Sequence, residues 1–106
     1  MPKLTDEMHR RVLNSLEGVL SAVLSARKSE KLPTSYQNFN LALTTLSACR
    51  HSIEQVRDRE RIIWILREAS QKLGLWESGR SEPAMRSTRH AIDEMVADLG
   101  PKNPVA

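Results

Sequence analysis

No glycine or proline interrupts the chain between Thr34 and Leu73, and this feature limits the folds open to it. Tyr36, Phe39, Leu43, Leu46, Ile53 and Val56 recur along the stretch at helical spacing, with Ala42 and Cys49 beside them. A repeat near 3.6 without a breaker predicts one long helix over 34–73, of up to ~39 residues and roughly 58 Å. Pro33 signals its start, because it lacks an amide hydrogen and disfavours helix in the residue before it. Thr34 and Gln37 then have the spacing of a capping box.

The weak point is residues 57–61, where Arg57, Asp58, Arg59, Glu60 and Arg61 form an unbroken run of charge. Their helix propensities are good to middling, so continuity is expected, with a bend or break at 57–61 as the alternative. Ile62, Ile63, Trp64, Ile65 and Leu66 follow directly. So short an apolar run suits a buried strand as well as a helix, and its flank decides for helix. Lys72 fits a last turn, and Gly74 fits the C′ position just beyond it.

Two shorter helices flank this stretch. Over about 5–29, Met8, Val12, Leu13, Leu16, Val19, Leu20, Val23 and Leu24 make one apolar face. Thr5 is a candidate N-cap, while Asp6 and Glu7, then Arg27 and Lys28, suit the two ends of the helix dipole. Ser15, Gly18, Ala22, Ser25 and Ser29 form a second, small-residue stripe, either a helix contact or a solvated face. Over 82–99, Met85, Thr88, Ile92, Met95 and Leu99 repeat the pattern until Gly100 and Pro101 stop it. Residues 100–106 read as a loose tail. The expected architecture is all-α: one domain over 1–106 with three helices, or four if 57–61 breaks.

Such a chain of 106 residues is marginal by itself, so good packing or a partner matters. The formal charge of +3 is too mild for a dedicated nucleic-acid binder. The lone Cys49 excludes an internal disulfide and a cysteine-rich zinc site. The first residues lack the apolar core of a secretory signal, and no window approaches ~18 uninterrupted apolar residues. Together these point to a cytoplasmic protein.

Candidate chemistry is sparse. Cys49 and His51 are two apart, and such neighbours point away from each other on a helix. His51 also lacks the Lys-Gly that follows the histidine of phosphotransfer domains; Ser52, Ile53, Glu54 and Gln55 stand there instead. His90 and Glu94 could give two metal ligands, but no second motif completes a site, and surface pairing with Arg89–Asp93 alongside is simpler. His9, near Asp6, reads as a surface residue. No phosphate loop or nucleophile motif is present, so no catalytic residue, metal or cofactor is expected. Two alternatives stay open. An enzyme or anion-binding protein could use Arg11, Arg27, Lys28, Arg67 and Arg86 converging from several helices. A weak nucleic-acid binder could use Arg80, Arg86, Arg89 and His90. For the latter, Ser70 and Arg80 around Gly74 match a helix-turn-helix poorly, and Asp93, Glu94 and Asp98 are acidic.

The positive signal is apolar surplus. Two flanking helices cover only part of a long central one, leaving residues 62–66 partly bare. The expected protein interface comprises Ile62, Ile63, Trp64 and Leu66, with Trp76, Arg61, Arg67, Tyr36 and Phe39. Tryptophan beside arginine is the composition of interface hot spots. A two-fold homodimer covers such a patch with its own copy, forming a helical bundle. In layout, with helical stretches at 8–24, 36–73 and 85–99, the chain resembles the small helical antiactivators of bacterial regulation. Among these it is similar to the quorum-sensing type, which binds a LuxR-type transcription factor and blocks its dimerisation or DNA binding. The resemblance implies an apolar helix face set against the regulator's own dimer surface, and it assigns no role to individual residues.

Overall fold

A computed structural model of the chain describes residues 3–29, 31, 33–76 and 82–100. These form four helices: α1 (Asp6–Ser29), α2 (Pro33–Glu54), α3 (Arg59–Leu75) and α4 (Glu82–Leu99). No strand occurs among the described residues; a single antiparallel bridge pairs Lys3 with Asp58. The helices run up, down, up and down. His9 and Arg27 of α1 bond Ile53 and Asn40 of α2 respectively, which fixes α1 and α2 antiparallel. Ser70 meets Asp93, and Gly74 meets Arg89, which does the same for α3 and α4. α4 returns against α1 to close the ring, in the loosest of the four helix contacts.

The expected continuity over 34–73 fails: the helix stops at Glu54 and resumes at Arg59, so the break takes in Gln55, Val56 and only the first two residues of the charged run. The reason lies far away in sequence. Leu4 is buried and donates its N–H to the Arg57 carbonyl at 2.8 Å, and the Arg57 guanidinium pairs with Asp6. Asp58 takes an extended conformation (φ −66°, ψ 119°) and accepts the Glu60 N–H at 3.0 Å, capping α3. A straight helix would forfeit all of these and hold Ile53 and Ile62 apart, whereas the corner buries both completely. Packing therefore overrides the intrinsic propensity of residues 55–58, while Arg59, Glu60 and Arg61 form the first turn of α3.

The core is one stripe from each helix. Val12, Leu16 and Val23 come from α1, while Phe39, Ala42, Leu46, Cys49 and Ile53 come from α2. Ile62, Ile63, Leu66, Ala69 and Leu73 come from α3, and Met85, Ile92, Met95 and Leu99 from α4. The spacing of three and four residues is the one expected of amphipathic helices.

Several local readings change. His9 is not a surface residue: it is 6% exposed and its Nε2–H donates to the Ile53 carbonyl at 2.8 Å. It lies three residues before Val12 on the buried face of α1, and it satisfies a carbonyl in the last turn of α2. Gly74 lies inside α3, which ends at Leu75 with Trp76 as C-cap. A Cβ at Gly74 would stand 2.7 Å from Arg89 Nη1, the mobile end of a side chain that crosses from α4 over this position. Thr5 accepts the Met8 N–H, as expected of a cap. α2 begins at Pro33, and the expected capping group, the Thr34 side chain, lies outside the described residues. Of the tail, only Gly100 is described; its N–H bonds the Val96 carbonyl at 2.7 Å.

Candidate protein-interaction surface

The break at 55–58 decides which side chains of the apolar run reach the surface. α3 folds back antiparallel on α2, so Ile62, Ile63 and Leu66 turn into the chain's own core. Trp64 points the other way and is 51% exposed. The Arg61 guanidinium lies over its ring at 4.9 Å, a cation–π contact that holds the two together. Ile65 is half-buried between these faces.

Trp64 stands on the rim of an open groove between α2 and α3. Thr45, Ala48, Cys49 and Ser52 line one wall, Gln55 and Val56 the end, and Ile65, Glu68, Ala69 and Lys72 the other wall. The α2 wall is made of small side chains, so the groove has room beside the indole. Cys49 lies at its floor, and burial pushes its thiol up to about 11. A thiol so disfavoured as thiolate is a packing residue and not a nucleophile. Beyond Trp64, Arg67 borders a second hollow with Arg59, Glu60 and Ile63.

The other expected interface residues do not join this group. Phe39 is buried in the core. Tyr36 is exposed near the start of α2, under Arg27 at 5.3 Å. Trp76 caps α3 and packs partly on the core. The structure thus brings together Arg61, Trp64 and Arg67 and distributes the rest.

The charged alternatives are also placed. Arg11 pairs with Glu7 at 3.6 Å and Arg27 donates to Asn40 at 2.7 Å. These two arginines lie about 24 Å apart along α1, too far to share one small anion. Arg80 lies outside the described residues, while Arg86 and Arg89 are both engaged in contacts. His90 pairs with Glu94 at 3.5 Å, whereas Asp93 accepts from the Ser70 hydroxyl at 2.7 Å. Among the described residues, no three His, Cys, Asp or Glu side chains converge as metal ligands. No described helix is long and apolar enough to cross a membrane.

A second groove separates α1 from α4. Ser15, Gly18 and Ala22 of the small-residue stripe line it opposite Ser87 and Ala91. A Cβ at Gly18 would meet nothing within 4 Å, so this part of the stripe borders open space. Comparison with known protein families, curated proteins and solved structures finds no match.

Proposed function

We propose that the chain is a non-catalytic regulatory module that binds and inhibits another protein, in the manner of an antiactivator of a transcription factor. The observation that carries this reading is Trp64, half-exposed at the rim of an open groove of mixed polar and apolar lining, with Arg61 stacked on it. A large aromatic left in water beside a cavity, flanked by arginines, has the chemistry of an interface anchor. The partner offered by this reading is a helical dimerisation surface, which an α2–α3 groove accepts by inserting a third helix alongside. The same face serves self-association, so partner binding and dimerisation compete. The lone, buried Cys49 suits action in the cytoplasm.

The test is capture of a partner from the source cell by the tagged chain, with Trp64→Ala as control, followed by DNA binding of the captured regulator. The reading expects a transcription factor that Trp64→Ala no longer retains and whose DNA binding the wild-type chain blocks. Equal capture by both chains would overturn it. Trp64→Ala suits this purpose because the side chain is not in the core, whereas Ile63→Asp would place a charge in it.

A further inference from the structure

The α3 wall of the groove carries charges in an order that complements itself. Arg61, Trp64, Ile65, Glu68 and Lys72 share that wall at helical spacing. Glu68 is the acid among three cations counting Arg67, and it forms no ion pair among the described residues. We infer that a second copy of this chain docks its α3 antiparallel on this wall, about a two-fold axis between Trp64 and Ile65.

In that register Arg61 of each copy faces Glu68 of the other, twice over, while each Trp64 lies against the other copy's Ile65. The small side chains of Ala48 and Ser52 leave space for the incoming indole. Three of the four neighbouring registers are discouraged by like charge, and the fourth, one turn toward the N-terminus, loses both Arg61–Glu68 pairs. Sliding the second copy one turn toward the C-terminus sets Arg61 against Lys72, and two turns set the two Glu68 side chains against each other. Two turns the other way set the two Arg61 side chains face to face. Like charges so placed are penalised, and charge order thus selects register. The stacking of Arg61 on Trp64 holds the guanidinium in place before association, which lowers the entropy lost on docking. The paired stretch, residues 59–70, is about 18 Å long and two helices wide, at the small end of specific interfaces, so dissociation is expected in the micromolar range.

This geometry rests on the reading of the Trp64 face as protein-binding, and a charge swap tests the two separately. Wild type, Arg61→Glu, Glu68→Arg and the double variant are compared by sedimentation equilibrium, with helicity followed by circular dichroism. All the substituted positions are exposed, so the fold is retained. Each single reversal turns two attractions into two repulsions and is expected to weaken the dimer by about tenfold or more. The double variant restores complementarity and is expected to return to within about fivefold of wild type. A dimer indifferent to the single reversals, or a double variant no better than them, overturns the register and leaves the protein-binding face standing. A wild-type monomer up to about 300 µM overturns self-association as well, since micromolar affinity would dimerise most of it.

Discussion

Removing the cap of α3 tests why the central stretch breaks. The Asp58 carboxylate accepts one N–H, that of Glu60, at 3.0 Å at the solvent-exposed start of the helix. Alanine there leaves this N–H to water, and an N-cap of this kind contributes about 1 kcal/mol. For a chain of 106 residues that corresponds to a melting temperature lower by about 4–8 °C. Asparagine keeps the acceptor and loses the charge, so Asp58→Asn is expected to lose less than half as much. The corner itself should persist in both, because Leu4 still bonds the Arg57 carbonyl and stays buried. The assay is thermal and urea unfolding by circular dichroism, at one protein concentration because self-association raises apparent stability. Unchanged stability in Asp58→Ala, or equal loss in Asp58→Asn, would refute the role of the cap. Increased helicity in Asp58→Ala would show the stretch straightening, against the packing explanation.

Two further outcomes concern ionisable groups. With its pKa raised to about 11 by burial, Cys49 is expected to resist thiol reagents at neutral pH and to react promptly once urea unfolds the chain. At pH 7 only about one molecule in ten thousand would carry the thiolate; rapid labelling of the native protein would contradict its burial. The Arg57 guanidinium, by hydrogen bond and by charge, holds the Asp6 carboxyl below the usual carboxylate range. A lowered folded pKa adds stability above the unfolded value and loses it as pH falls through the folded one. Asp6→Asn should therefore flatten the acid limb of the urea midpoint below about pH 4 and change nothing in its shape above that. An unaltered acid limb would remove this contact from the explanation of the corner.

The helical faces were legible because period alone determines them. Val12, Leu16 and Val23 in α1 and Met85, Ile92 and Leu99 in α4 are buried as their spacing requires. The corner was less so. Its stabilising groups, Lys3, Leu4 and Asp6, lie some fifty residues upstream, beyond the reach of any local pattern. A signal was present in Asp58, a capping residue ahead of an amphipathic segment, but charged neighbours with fair helix propensity masked it. The corner reduces the apolar surplus that a single long helix implies. A long straight helix leaves residues 62–66 without cover, whereas a four-helix ring buries Ile62, Ile63 and Leu66 and leaves Trp64 out. His9 was obscured for a related reason: a polar residue on an apolar face needs a partner, and that partner is a backbone carbonyl, which sequence does not display.

The most direct test of a protein-binding Trp64 face is the solution mass of wild type and Trp64→Ala, measured side by side across a concentration series. The wild-type chain is expected to rise from 12.0 kDa toward twice that mass. Trp64→Ala should stay near 12.0 kDa and keep its helical spectrum, because the half-exposed indole lies outside the core. Identical association by the two chains would contradict the assignment of this face.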